Sequence, residues 1–526
     1  MRSGSKAARY SNYCTMKTTY LIAIALLAIT KSYAQEPADA LRYSYLTQNG
    51  TARNQAIGGA GASLGGEFSS LFINPAGLGF YKTGEIVLTP GYSLKNLTST
   101  YKANSVRNAT NNFVLGASGL LFSTPSQGKK VKNFTFAVGA NRIADFNNHV
   151  YYKGQNNTSS YSEKYLEELV DNKVTDPNHA ATDFPFGSSL AVNTYLINPT
   201  YNSDSSEVTG YSSLADPGFG LTQENTIITS GGITELALGG AINLNEKLFF
   251  GVGLSFDFLN YNRDASYKES DASGNTTNNF NYFESNESLH TTGIGGNAKF
   301  GIIYKPVENV RLGLNFQIPT NYQLTDKYST EVVTDLEGYG GAGIKKQTST
   351  FLNNDQILES KYNLNTPLRV IASGSYIFRE AENIKNQRGF ITADIEFVNY
   401  KGASFRAADK SDTDAKNYYS SVNKAMDNLY KNAFNFRLGG ELKFNTYMFR
   451  LGGAYYGNPY KNENASLYKV SGGVGYRNKG IFIDLTYVYS INKDIHYPYL
   501  LENKPNVPAA IKNTGGNIVA TIGFKI

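Results

Sequence analysis

The stretch Leu248-Phe249-Phe250-Gly251-Val252-Gly253-Leu254-Ser255-Phe256-Asp257-Phe258-Leu259 decides the fold. Phe250, Val252, Leu254, Phe256 and Phe258 fall on one face, and Gly251, Gly253, Ser255 and Asp257 on the other. A period of two sends successive side chains to opposite faces of a pleated strand. The pattern recurs along the chain. Phe434, Phe436, Leu438, Leu442 and Phe444 oppose Asn435, Arg437, Gly439, Glu441 and Lys443. Ile391, Ala393, Ile395 and Phe397 oppose Thr392, Asp394 and Glu396. Ile481, Ile483, Leu485, Tyr487 and Tyr489 oppose Asp484 and Thr486.

A soluble sandwich also alternates, but three features favour a transmembrane barrel. The polar face is rich in Gly, Ser and Asn with occasional charges, which suits a wet lumen. Aromatics recur near segment ends, at Tyr92, Tyr304, Tyr376, Tyr400, Tyr455, Tyr476 and Tyr489, where interface girdles stand. Finally, Ile518, Ala520, Ile522, Phe524 and Ile526 make an apolar face running to the last residue, similar to the terminal signal read by outer-membrane assembly machinery.

The segments centre near residues 92, 117, 138, 239, 255, 296, 315, 370, 395, 438, 450, 471, 485 and 520, which predicts 14 antiparallel strands. An even count is the rule for bacterial single-chain barrels. Connector lengths agree. Even-numbered connections are short, with the eighth (about 378–388) the longest, whereas those after strands 3, 5, 7, 9 and 13 are long. The longest, at about 153–231, has room for a helix at Ser162–Asp171. The predicted class is all-β, a 14-stranded antiparallel transmembrane β-barrel over 84–526 with an N-terminal hatch.

Composition narrows the function. Charged residues make up 17% of the 526, below the roughly 25% of soluble domains. The single cysteine, Cys14, excludes an internal disulfide framework and a cysteine zinc cluster. The net charge of +6 is concentrated in Arg2, Lys6, Arg9, Lys17 and Lys31, with no acid among the first 34 residues. The near-neutral remainder argues against a nucleic-acid binder. Met16-Lys17, an apolar core over 20–29 and Ser32-Tyr33-Ala34 read as a Sec signal peptide within 1–34, starting at Met16 and cut after Ala34. Its core is too short to span a bilayer as a helix.

Residues 35–83 do not alternate. A short helix is expected at Ala38–Tyr45, then a glycine-rich run over 56–66 and Asn74-Pro75-Ala76-Gly77-Leu78. Such glycine density suits a compact plug held close to a wall. A barrel of 14 strands is too wide for its own side chains to fill, so a hatch is expected in its mouth.

Asn74-Pro75-Ala76-Gly77-Leu78, some 40 residues after the cleavage site, resembles the hatch motif of the FadL/TodX outer-membrane transporters. The preceding Gly-Gly-Ala-Gly-Ala-Ser run and Thr366-Pro367-Leu368-Arg369 entering a strand also look like that family. The resemblance implies inward transport of hydrophobic small molecules, such as long-chain fatty acids or aromatic hydrocarbons, past the hatch of a Gram-negative outer-membrane protein. It carries over residue by residue only at the hatch motif, Asn74, Pro75, Ala76 and Gly77. The longest loop here follows the third strand, whereas the family's better-known members capture ligand with later loops.

A fatty-acid carboxylate needs a cation, and Arg369 and Arg437 fall on the expected lumenal face. Either they meet the ligand, or they pair with lumenal acids such as Glu441, Asp394 or Glu396. Phe184, Phe186, Leu196 and Ile197 are candidates for an apolar loop groove. Outer-membrane lipid is the expected surround, no cofactor is expected, and a protein partner at the extracellular or periplasmic face stays open. The alternative function is a FadL-like structural or secretion-system component. An open diffusion porin is disfavoured by the plug. An enzyme is not expected. Gly61-Ala62-Ser63-Leu64-Gly65 matches G-x-S-x-G without the strand–turn–helix setting of a nucleophile elbow. The four histidines show no metalloprotease spacing, and His149 and His496 fall near loop ends where solvation is expected.

Overall fold

The structure, a computed structural model, describes residues 35–526 apart from 48, 127, 129, 379–387 and 464; the expected signal peptide lies outside the described residues. Fourteen strands form the wall. They are β1 (Glu85–Leu88 and Pro90–Tyr101), β2 (Asn104–Leu115 and Ser118–Pro125), β3 (Val131–Asp145 and Asn148–Asn156), β4 (Leu221–Leu244) and β5 (Leu248–Asp271). Then follow β6 (Tyr282–Val307), β7 (Val310–Gln317 and Asn321–Asp335), β8 (Leu358–Asn365 and Arg369–Phe378), β9 (Gly389–Val398) and β10 (Ala433–Phe444). Last come β11 (Tyr447–Tyr456), β12 (Leu467–Asn478), β13 (Ile481–His496) and β14 (Ala509–Lys525). Each pairs antiparallel with its sequence neighbours. β14 closes the barrel on β1, with Gly91 opposite Val519 and Glu85 opposite Lys525. Every segment counted from the alternation is a wall strand.

The faces follow the pattern. On β5, Val252, Leu254, Phe256 and Phe258 are exposed, while Gly253, Ser255 and Asp257 are buried. Such an apolar exterior over a closed barrel is a lipid-facing belt. On β5 it runs from Phe250 to Phe258, about 27 Å along the strand and roughly 20 Å high after tilt. β4, β5 and β6 run on for another ten or more residues toward the long loops. That end therefore stands clear of the bilayer, and the short turns mark the periplasmic end. Tyr400 departs from the expected girdle. It lies 2% exposed inside the barrel, because Tyr400–Gly402 forms a helical turn that breaks the alternation after Val398.

The lumen is filled from both ends. Helix α1 (Pro37–Ser44), one residue out of register with expectation, packs Ala40 and Tyr43 against Tyr261 and Tyr362 of the wall. Helices α2 (Ala52–Ala56) and α3 (Ser70–Ile73) and a turn at Pro75–Phe80 complete the hatch. The loop after β3 folds as a lid of α4 (Ser162–Asp171), α5 (Pro177–Thr182), α6 (Ser188–Asn193) and a hairpin pairing 197–201 with 208–213. Its core gathers Tyr161, Leu169, Leu190 and Leu196 over Tyr267 and Phe283 of the strand extensions. A second loop helix, Thr413–Leu429, sets Tyr419, Val422 and Met426 into the same cluster as α1.

Candidate functional site in the plugged lumen

Asn74 places the hatch motif. Its side-chain amide donates to Ala62 O at 2.7 Å and reaches the wall carbonyls of Leu314 and Ile302 at 3.4 and 3.5 Å. Its Oδ1 accepts the Ala76 N–H at 3.1 Å, starting the turn that Pro75 pre-shapes. One asparagine thus ties two hatch segments to β6 and β7. The wall must be bare there, since a Cβ on Gly301 would collide with Asn74 Oδ1.

Other hatch backbone groups are satisfied by wall side chains, as buried amides require. Asp394 accepts Gly61 and Ala62 N–H at 3.1 and 3.3 Å. Thr486 and Ser471 donate to Ala52 O and Ala56 O at 2.7 and 3.0 Å. Ser63, the serine of the G-x-S-x-G match, bonds Ser373 and Ser375 of β8 at 2.7 and 2.5 Å and is a wall anchor.

Between β2 and β3 the wall forks. They pair only from Ser118 opposite Ala140 down to Pro125 opposite Asn133. Above that point β2 pairs with β1 alone, while β3 shifts register near Arg142 and follows β4. Phe113 and Leu115, exposed beside the fork, place its floor within the lipid-facing belt. Side chains span the gap. Asn49 of the hatch donates to Arg142 O at 2.6 Å and approaches Leu115 O at 3.5 Å. Lys95 of β1 meets Asp145 at 2.6 Å, and Asn112 donates to the same carboxylate at 3.2 Å.

Charges line the lumen in compensated groups. Glu396 takes Arg369 at 3.1 Å, Arg437 in close contact, and the Asn435 amide at 2.8 Å. Arg450 lies between Glu441 and Asp484, each at 2.6 Å, and Arg53 of the hatch joins Glu441 at 3.1 Å. Lys299 pairs with Glu235. The two arginines on Glu396 are not equivalent. Arg369 also donates to Ser44 O at the end of α1. Arg437 keeps Nε and Nη1 buried without a hydrogen-bond partner. Lys469 and Arg437 both approach the Tyr456 ring, at 5.4 and 5.6 Å from its centre, and among the described residues Lys469 has no ion pair.

Between hatch and wall remains a cavity of about 40 Å³, lined by Asn49, Phe72, Asn297, Lys299 and Arg369 among others. It has room for a water or two. A larger hollow of about 1680 Å³ is lined by residues of β8–β14, among them Ile391, Leu438, Leu451 and Val470 of the lipid face and Asp394, Arg437, Glu441 and Arg450 of the lumenal face.

A barrel of 14 strands, plugged from its N-terminus and forked beside β3, is thus complete. It superposes on a FadL homologue from Pseudomonas aeruginosa, covering 91% of this chain and 99% of that one, with a TM-score of 0.54 at 12% identity. The fold is FadL-like. The Pseudomonas putida toluene transporter TodX matches at TM-score 0.49 and 13% identity, covering 91% and 99%. The Ralstonia pickettii toluene transporter TbuX matches at 0.46 and 14%, covering 91% and 99%. No family model matches the sequence, and no curated protein does.

Several residues of this FadL-like barrel sit where periodicity alone did not put them. Leu196 and Ile197 are buried in the lid's core, whereas Phe184 and Phe186 are half-buried at its edge. His496 is half-buried rather than fully solvated. Its Nδ1 meets the Tyr152 hydroxyl at 2.9 Å, and burial holds its imidazole down to about 4. Sequence reasoning missed Asn49, Lys95 and Asp145. Their signal is faint: a break in the alternation at Phe146-Asn147, which can be recognised only once β3 is known to leave β2.

Proposed function

We propose that the protein carries hydrophobic small molecules across the Gram-negative outer membrane, with long-chain fatty acids as the preferred class. One observation carries this reading. The lid packs over the strand extensions and the hatch packs against the wall beneath, while the wall is unpaired at lipid height between β2 and β3. Cargo that leaves through that fork enters hydrocarbon, so it must itself be apolar along most of its length. The 40 Å³ cavity between hatch and wall is too small for cargo, so passage along that route requires the hatch to shift. Asn49 is the hatch residue standing in the fork, and Asn74, Pro75, Ala76 and Gly77 hold the segment that must yield.

The preference for a carboxylate rests on Arg437 and Lys469. Arg437 presents two unused donors beside a lumenal ammonium, and a buried cation gains from an anion that fills its open valences. Arg369, spent on Glu396 and α1, positions the helix rather than the ligand.

The fork is tested by bridging it. The chain from 35 onward has no cysteine, so Asn112→Cys with Asp145→Cys can be joined by a short bis-maleimide. The bridged protein should still bind oleate but deliver none in a vesicle uptake assay, with each single-cysteine variant active. Unchanged uptake through a bridged fork would refute this exit.

A further inference from the structure

Transport through the fork gives no role to Asp326, a buried acid on β7. It is 1% exposed, and the outward positions beside it, Gln323 and Lys327, are polar, so it lies beyond the lipid-facing belt. Among the described residues it has no ion pair. Its oxygens take the Gln35 side-chain amide at 2.6 Å and the Tyr362 hydroxyl at 3.1 Å. Burial, and then the charge of Asp39, pushes its carboxyl up to about 6. Buried carboxylates are ordinarily paired with a cation. Gln35 is held just as closely. It is 1% exposed, its amide oxygen accepts the Tyr419 hydroxyl at 3.0 Å and its carbonyl accepts the Tyr418 hydroxyl at 2.6 Å, both from the loop helix Thr413–Leu429. The following N–H, of Glu36, donates to Asp39 at 2.9 Å. Successive backbone nitrogens stand at most about 4 Å apart, so the Gln35 nitrogen lies within about 7 Å of the Asp39 carboxylate.

The charges around Gln35 do not balance. Arg42 meets Asp39, Arg263 meets Glu287 at 3.0 Å, and Lys164 bears on Glu36 together with Arg263. Glu36, Asp39, Glu287 and Asp326 thus face Arg42, Arg263 and Lys164, which leaves one negative charge over. Gln35 is also the residue that the expected cut after Ala34 makes the first of the mature chain. We propose that this cut completes the site: the α-ammonium freed on Gln35 is the cation the acidic group lacks, and it locks α1 and the loop helix into the lumen. An export signal peptidase hydrolyses the Ala34–Gln35 bond with one water, leaving a carboxylate on Ala34 and an ammonium on Gln35. An α-ammonium ordinarily loses its proton near about 8, and flanking carboxylates hold it charged to higher pH. A charged nitrogen is no nucleophile. Gln35 therefore keeps its amide for Asp326 and Tyr419 instead of cyclising to pyroglutamate, in which the neutral amine attacks Cδ and expels ammonia. The proposal rests on the cut after Ala34 and does not depend on which cargo is carried.

The test uses the processed full-length chain purified from outer membranes. N-terminal sequencing should read a free glutamine at 35; a blocked pyroglutamate, or a start at another residue, overturns the proposal. Competitive acetylation with acetic anhydride across pH 6–10, read by mass spectrometry of the N-terminal peptide, then titrates the α-amine. In the closed barrel it should titrate at least one pH unit above the heat-unfolded chain and react at least tenfold more slowly at pH 7.5. Asp326→Asn keeps an acceptor for the Gln35 amide but removes the charge. It should speed acetylation at least fivefold and quicken hydrogen exchange of the α1 amides. Gln35→Ala loses the side-chain bonds but keeps the ammonium, and its amine should stay shifted. Asp183→Asn, an exposed lid acid, should match the wild type. Heat-dependent gel mobility confirms that each barrel is closed. Equal titration in the folded and unfolded wild type, or in the folded wild type and Asp326→Asn, overturns the proposal, as does a shift lost in Gln35→Ala. Every readout is made without cargo, so failure here and failure of the transport reading remain distinguishable.

Discussion

Glu269 offers the sharpest quantitative test. It sits near the outer end of β5, beyond the lipid-facing belt, with no exposed surface. Four donors converge on it: the Ser160 hydroxyl in close contact, Tyr161 N–H at 2.7 Å, the Tyr267 hydroxyl at 2.7 Å and the Gln223 amide at 2.8 Å. Tyr499, from the loop after β13, joins through Gln223 at 2.9 Å, and Tyr101 of β1 through the same amide's oxygen at 2.5 Å. The groups facing it are thus phenols, hydroxyls and amides, and among the described residues no cation pairs with it. Burial pushes its carboxyl from an ordinary 4.5 up to about 7, against the pull of those hydrogen bonds.

A carboxyl with a raised folded-state value takes up a proton when the lid closes. Its contribution to closure is complete below about 4.5 and is lost as the pH rises through about 7. At 1.36 kcal/mol per pH unit, the interval from 4.5 to 7 corresponds to about 3 kcal/mol, or a lid-opening equilibrium changed roughly a hundredfold or more. Hydrogen exchange of the amides at 160–166, corrected for intrinsic pH dependence, should therefore lose protection by nearly tenfold per unit up to pH 7 and level off by pH 8. Glu269→Gln keeps an acceptor and cannot titrate, so its profile should be flat. A flat wild-type profile, or an undiminished slope in the variant, would refute the reasoning.

Four other outcomes follow from the packing. Gly301→Ala forces a methyl into Asn74 and should cost about 1–3 kcal/mol of hatch docking by overpacking, read as faster proteolysis within 35–83 while the barrel keeps its heat-dependent gel mobility. Arg437→Leu should reduce bound oleate at least tenfold by native mass spectrometry, with decane binding unchanged. Arg369→Leu should instead loosen α1, read as faster exchange of the Tyr45 and Leu46 amides. Lys95→Met leaves Asp145 with amide partners alone; it should raise vesicle leakage of a small dye at pH 7, and Lys95→Arg should restore the wild-type level.

The helix at Ser162–Asp171 shows how far local pattern reaches. It was expected from the sequence at the bounds it has, because its apolar spacing lies within ten residues. The packing of Leu196 and Ile197 into the lid depends on β5 and β6 arriving beneath them, and nothing within the loop announces that. Tyr400 looked like a girdle residue until the turn after Val398 redirected it.

The sequence by itself determined the number of strands, the face that side chains within the regular strands take and the end of the barrel that carries the loops. All three follow from a period of two and from connector length, and both are read along the chain. Tertiary structure alone decided that Arg369 and Arg437 share Glu396, that Asn74 reaches two wall carbonyls, and that β2 and β3 part above Ser118. Those facts are distances between residues far apart in sequence. Closing the barrel brings them together, and no local periodicity encodes which lumenal charge will find which partner.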